Sequence, residues 1–255
     1  MIANYHSHTT LCFHAAGTPE EYVQAALQRG LQIFGFSDHA PQWFGGDYYS
    51  TMRMYPQDLA GYCDTVRHLQ KEYAGRLQIP LGLEAEYYPA IFSELVLQAR
   101  DHGIEYLLLG QHWIGNEEND FFVSRPPRDE SVLKRYCHQV MDAMQTGLFT
   151  YLAHPDLINF AGDLKTYEHY MRQLCREAKS TGTPLELNFL GVSEGRHYPK
   201  EAFWRIVAEE NCPVVFGIDA HLPAQITDLA PEKKCLEIVE RLGLQVLETV
   251  EFRKL

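Results

Sequence analysis

No stretch of this 255-residue chain approaches the roughly 18 uninterrupted apolar residues of a membrane span, and the opening MIANYHSHTT lacks the basic and apolar regions of a signal peptide. A cytoplasmic protein with no membrane partner is the expectation. Cysteine pairing is missing too. The six cysteines, Cys12, Cys63, Cys137, Cys175, Cys212 and Cys235, include no C-x-x-C spacing, which excludes a zinc ribbon or a redox motif built on it and leaves reduced thiols. There is no low-complexity tract or long polar linker to mark a boundary, so one domain over 1–255 is expected. Basic charge is scarce: 22 Lys and Arg stand against 34 Asp and Glu, for a net −12 scattered along the chain. That balance disfavours a broad nucleic-acid contact and favours a small-molecule partner. Nothing in the sequence specifies an oligomeric state.

What is present is an alternation of strand-like and helix-like segments from end to end. A strand at 2–6 leads to a helix in TPEEYVQAALQRG, where Thr18 and Glu21 make a capping box, Pro19 takes the first turn and Gly30 closes. Strands follow in LQIFGFSDH, LQIPLGLEAEYY, YLLLGQH, FTYLAH, PLELN and PVVFGIDAH. Helical spacing separates them at 56–73, 91–102, 129–145, through Tyr167, Met171, Leu174 and Ala178, and through Phe203, Trp204 and Val207, with a last helix from Pro231. Seven βα units with strands apolar on both faces favour a closed parallel barrel, with a doubly wound open sheet as the alternative. The tail LQVLETVEF is a candidate eighth, irregular strand, and the loop 40–55 is long enough to cover a site.

Metal-ligand-type side chains cluster where those strands end: His6, His8, His14, His39, Glu84, His112, His154, Asp219 and His221. His6 and His8 are two apart, as are Asp219 and His221, so on a strand each pair points to one face. Any single H-x-H reads equally well as ordinary hydrogen-bonded histidines. Seven of the twelve histidines at strand ends are harder to assign to chance, because a barrel gathers those ends into one mouth. His68, His102, His138 and His169 fall on helix-like stretches and read as exposed. Imidazole with carboxylate suits Zn, Mn or Fe, whereas Ca and Mg sites are built from oxygen. Glu86, two positions beyond Glu84, competes with it for the ligand role, and Cys12 is a weak further candidate.

H-S-H at His6 to His8, S-D-H at Ser37 to His39, His154 in Y-L-A-H-P-D-L and D-A-H at Asp219 to His221 together resemble the four motifs of the PHP family, named after polymerase and histidinol phosphatase. G-L-E-A-E around Glu84 and G-Q-H-W around His112 look like its histidinol-phosphatase branch. The resemblance covers essentially the whole chain and implies a distorted (β/α)7 TIM-like barrel with three divalent transition metals, Zn first and Fe or Mn next. By the same resemblance His6, His8, Glu84 and Asp219 would hold the first metal, Glu84, His112 and His154 the second, and His14, His39 and His221 the third. Glu84 would bridge two of them, which a two-oxygen carboxylate can do and a histidine cannot. Asp38 enters the catalytic set as a carboxylate orienting a ligating histidine. Arg196 and His197 in G-V-S-E-G-R-H-Y-P, with Asn188 at the end of strand six, are the substrate-binding candidates, since Arg clasps phosphate through paired hydrogen bonds. The chain departs from relatives that carry a second basic residue after the motif-three histidine; Asn159 stands there instead.

A set of divalent cations serves phosphomonoester hydrolysis, and no motif supplies a side-chain nucleophile. The expected reaction is therefore in-line attack by a metal-bridging hydroxide on a small phosphorylated metabolite, L-histidinol phosphate foremost. The alternatives are a PHP-type phosphoesterase acting on nucleotides or oligonucleotides, and a non-catalytic metal-binding interaction protein.

Overall fold

The structure, a computed structural model, describes residues 1–118 and 120–255. Its strands all run parallel. β1 (Ala3–Asn4) pairs with β2 (Ile33–Phe34), and β3 (Gly82–Ala85), β4 (Tyr106–Leu109), β5 (Phe149–Leu152), β6 (Leu185–Asn188) and β7 (Val214–Gly217) pair in that order. Single bridges complete the circuit. Ile33–Gln78, Phe36–Leu81 and His39–Glu84 join the second strand to the third, and Ser7–Ala220 joins the last to the first. The result is a seven-stranded α/β barrel with irregular seams at β2–β3 and β7–β1 and a single pair, Leu152–Leu185, between β5 and β6, which is the distortion.

Helices α1 (Pro19–Arg29), α2 (Leu59–Glu72), α3 (Phe92–Asp101), α4 (Glu130–Gln145) and α5 (Leu164–Thr181) each follow a strand, as the apolar spacing predicts. In α1 the Thr18 hydroxyl accepts from the Glu21 amide at 3.3 Å and Glu21 accepts from the Thr18 amide at 2.6 Å, while Gly30 takes φ 82° to stop the helix. The buried face of α5, Tyr167, Met171, Leu174 and Ala178, packs between α4 and the later helix at Glu201–Glu210. Two short helices lie outside the sequence-based expectation: α6 (Phe189–Ser193), directly after β6, and α8 (Pro223–Thr227), between β7 and α9. α7 (Glu201–Glu210) and α9 (Ala230–Leu242) complete the outer layer. Among the described residues no helix is long and apolar enough to cross a membrane.

Alternate strand residues face inward, and Ala3, Tyr5, Tyr106, Leu108, Tyr151, Ala153 and Val215 fill the barrel. Tyr106 spans it, donating to the carbonyls of Tyr5 (2.7 Å) and Phe36 (3.1 Å). Gly82 makes room for that ring: a Cβ there would lie 2.3 Å from it. The tail does not form an eighth strand. It makes one bridge, Val246 to Val214, and then Phe252 stacks on Tyr106 at 4.7 Å and meets Tyr5 edge-on, closing the floor of the barrel. With the floor filled, the polar work falls to the opposite mouth.

Candidate metal centre

All nine donor-type residues stand at the carboxyl-terminal mouth, Glu84 within β3 and the others on the turns that leave the strands. Two of those turns are strained. His154 has φ 29° and Asp219 φ 55°, left-handed conformations that cost non-glycine residues of order 1–3 kcal/mol and that persist where the surroundings enforce them.

Glu84 is the hub. Its Oε2 lies 3.0 Å from His39 Nδ1, 3.3 Å from His6 Nε2 and 3.5 Å from His8 Nε2; its Oε1 lies 2.8 Å from His154 Nε2 and 3.7 Å from His112 Nε2. Gly110 on the neighbouring strand end permits this, because a Cβ there would sit 1.8 Å from Oε1. Donor atoms fall within 4.8 Å of one another in the sets His6, His8, Asp219; His6, Glu84, His154; His8, His39, Glu84; and His14, His39, His221. His112 stands outside these sets, farther from the hub. Cys12 makes a set with His8 and His221, but burial pushes its thiol up to about 12, away from the thiolate a metal needs, and the sulfur donates to the Thr9 carbonyl.

Each of five histidines has one ring nitrogen tied to an anchor. His6 Nδ1 meets Glu186 at 2.8 Å, His8 Nδ1 faces Asp38 at 3.4 Å, His112 Nδ1 meets Glu86 at 3.0 Å, and the Nδ1 atoms of His14 and His221 meet the carbonyls of Cys12 and Asp219. Such anchoring fixes ring orientation and leaves the other nitrogen for a ligand. Asp38 is itself held by the amides of Thr9 and His39 and the Thr9 hydroxyl.

The donor set fits divalent cations on evidence internal to the fold. His6 Nε2, His39 Nδ1, Glu84 Oε2 and His154 Nδ1 are buried and, among the described residues, accept or donate no hydrogen bond. Native proteins rarely leave such atoms unsatisfied, and a bound cation would give these four the partner they lack. Charge is divided in the same way. Burial opposes protonation of His8, yet Asp219, Asp38 and Glu84 push it up to about 9, and His6 rises well above the usual histidine value among Glu186, Asp219 and Glu84. Burial and the His8 cation push His221 down to about 3 and lower His14, while burial holds His39 well below the usual range. Those three rings are neutral, with lone pairs available.

The mouth opens into a cavity of about 440 Å³ lined by the donor-type residues His14, His39, Glu84, His112, His154, Asp219 and His221. Met52, Phe122, Ser124, Leu157, Leu190, Glu194, Arg196 and Tyr198 line it as well. Arg196 reaches it. Asn188 and His197 do not. Asn188 is buried, capping α6 through its Oδ1 while its amide donates to Glu186 (2.9 Å) and Asp219 (3.1 Å); the short helix that follows β6 turns it away from the opening. His197 Nε2 is occupied by the Leu157 carbonyl at 2.7 Å. A wider surface depression of about 550 Å³ at the opposite end of the barrel, lined by residues such as Gln32, Gln78 and Pro80, gathers no histidine among the described residues.

Two groups escape the sequence reading. Glu186 not only anchors His6 but accepts the His154 amide at 2.9 Å, fixing the strained turn. Its spacing to Asn188, the same two-residue step as His6 to His8, was the available signal. The second is Arg53, fully buried in the loop 40–55, which pairs with Glu86 on one side and Glu117 (2.7 Å) on the other. Glu117 also accepts from Tyr48 at 2.9 Å and from Ser50, so the loop over the site is tied through Arg53 and Glu86 to His112.

A parallel α/β barrel whose mouth gathers histidines and carboxylates around one central glutamate defines a metal-site barrel of the hydrolase type. The PHP domain family matches residues 4–189, and a "Probable histidinol-phosphatase" of Deinococcus radiodurans is 35% identical over 237 residues, 88% of each chain. The chain belongs to the PHP family. The histidinol-phosphatase of Bacillus subtilis is 24% identical over 246 residues, 85% of this chain and 92% of the relative. Among solved structures, a histidinol phosphate phosphatase of Lactococcus lactis, complexed with zinc, L-histidinol and phosphate, superposes with a TM-score of 0.75 at 18% identity, covering 98% of this chain and 96% of that one.

Proposed function

We propose that this chain is a metal-dependent phosphomonoesterase of the histidinol-phosphatase kind, with L-histidinol phosphate as its foremost substrate. The observation that carries the reading is the hub: one buried glutamate facing five histidines, with unpartnered atoms on the glutamate itself and on three of those histidines. The relatives' names and the zinc, L-histidinol and phosphate of the Lactococcus protein support it. His6, His8 and Asp219 with Glu84, His154 and His112 with Glu84, and His14, His39 and His221 would hold three cations, zinc foremost. Bound divalent cations activate water near neutral pH and neutralise phosphate oxygens.

The chain's own residues do the rest. Glu186, Asp38 and Glu86 fix the rings of His6, His8 and His112 before substrate arrives, so little reorganisation is left for the reaction. Met52, Phe122, Leu157 and Leu190 add apolar surface to the cavity lining. Arg196, which also lines it, is the candidate to clasp a phosphate. A volume of about 440 Å³ suits a metabolite, not a polymer.

The test is phosphate release from a panel of phosphorylated metabolites, L-histidinol phosphate and nucleotides included, with metal-loaded and chelated protein. Metal-dependent release from histidinol phosphate exceeding that from nucleotides is expected. Absence of metal-dependent release from every member would overturn the reading.

A further inference from the structure

The cavity contains one carboxylate that the metal centre does not use. Glu194 sits at the end of α6 and lines the same cavity as the histidines. Arg196 Nε and Nη2 both contact the same oxygen, Glu194 Oε2, at 2.8 and 2.6 Å, and Nη1 donates to the Tyr198 hydroxyl at 3.0 Å. Among the described residues Glu194 Oε1 accepts no hydrogen bond. The backbone gives the carboxylate no help either, since it lies at the carbonyl end of a helix, where negative charge is disfavoured. Arg196 is its single cationic partner, in a pair whose side chains are about two-fifths exposed.

This arrangement has a consequence for any phosphorylated ligand. If the Arg196 guanidinium turns to a phosphate dianion, Glu194 loses its paired counter-charge. A ligand that carries its own cation restores the balance: its phosphate takes Arg196 and its ammonium takes Glu194, so one internal ion pair is exchanged for two external ones. A ligand with phosphate and no cation leaves Glu194 uncompensated and is disfavoured by that imbalance. Neutral or anionic phosphomonoesters are thereby selected against.

We infer that Glu194 is a specificity-determining residue that recognises the cationic group of a zwitterionic phosphomonoester, through exchange of the Glu194–Arg196 pair. The inference rests on the phosphatase reading for its substrate class, but it is tested by binding as well as by turnover. Two ligands serve, a non-hydrolysable phosphonate bearing an ammonium group on the carbon next to the ester-equivalent position and the same phosphonate without it. Binding of each to metal-loaded wild-type and Glu194→Gln protein is measured by calorimetry, and turnover of the corresponding phosphate esters is measured in parallel. The expected result is a wild-type preference of at least about tenfold for the ammonium compound, collapsing toward unity in Glu194→Gln and partly kept in Glu194→Asp. An equal preference in wild type and Glu194→Gln, or none in wild type, overturns the inference. A preserved binding preference without turnover of either ester overturns the phosphatase reading and leaves the recognition role standing.

Discussion

At the residue scale the centre depends on what is missing beside Glu84. Gly110→Ala would place a methyl group 1.8 Å from Glu84 Oε1, and the glutamate must then leave the hub. Expected are an unchanged circular dichroism spectrum, a fall in bound metal and a loss of about 10²-fold in kcat/KM; full metal content by elemental analysis would contradict the role assigned to Glu84. Arg53 works differently. Arg53→Met leaves Glu86 and Glu117 buried without their cationic partner, a change that costs about 3–5 kcal/mol and should lower the melting temperature by roughly 10 °C. Adding Glu86→Gln to that variant should return part of the loss, because one orphaned charge is removed. A melting temperature that drops further in the double variant would refute this account of the network.

At the element scale, the barrel's βα order was legible because each strand is buried on both faces and each long helix carries one apolar stripe. The exceptions have physical causes. α6 is five residues long, too short to show a period, and its start is signalled by a side-chain cap that depends on Asn188 also holding Glu186 and Asp219. Glu186 itself reads as the polar member of an alternating strand, since sequence does not tell the solvent face of a strand from a charged layer above a barrel core. Arg53 lies among aromatic and apolar loop residues, and nothing local indicates that its two partners are 33 and 64 positions away. The donor histidines were legible because their two-residue steps repeat at successive strand ends. Asn188 gives the test for this scale. Asn188→Ala should lose about 1 kcal/mol of cap energy and raise KM by loosening the turn that carries Arg196. Asn188→Ser should restore the stability and leave the two carboxylates without their amide donor. Identical thermal melts for Ala and Ser would exclude the capping role.

At the scale of the whole molecule, the mouth concentrates Glu84, Glu86, Glu186, Asp38 and Asp219 in one buried layer, and the folded chain bears their proximity. Cations that bind only the folded state stabilise it by mass action, about 4 kcal/mol at a thousandfold excess over Kd. Chelation should therefore lower the melting temperature by several degrees, with recovery on adding zinc. No shift in either direction would mean that the layer is self-compensating. The same layer also bears on how the ring closes. Ladders of several residues join β3 to β4, β4 to β5 and β6 to β7, whereas β5 meets β6 at the single pair Leu152–Leu185, the first seam is crossed by the His39–Glu84 bridge and the last by Ser7–Ala220, between the two histidines of H-S-H and the D-A-H turn. The amides that stitch these seams, His8 to Ala220 at 2.9 Å, Glu84 to Ser37 at 3.0 Å and Ala40 to Glu84 at 2.7 Å, belong to donor residues or their neighbours. Local opening is expected at these seams, and cation occupancy should slow hydrogen exchange at His8, Ala40 and Glu84 while leaving the amides of β4 unaltered. The residues proposed to hold the cations thus also sit on two of the ring's sparsest joints, so occupancy and closure of the sheet are expected to rise and fall together.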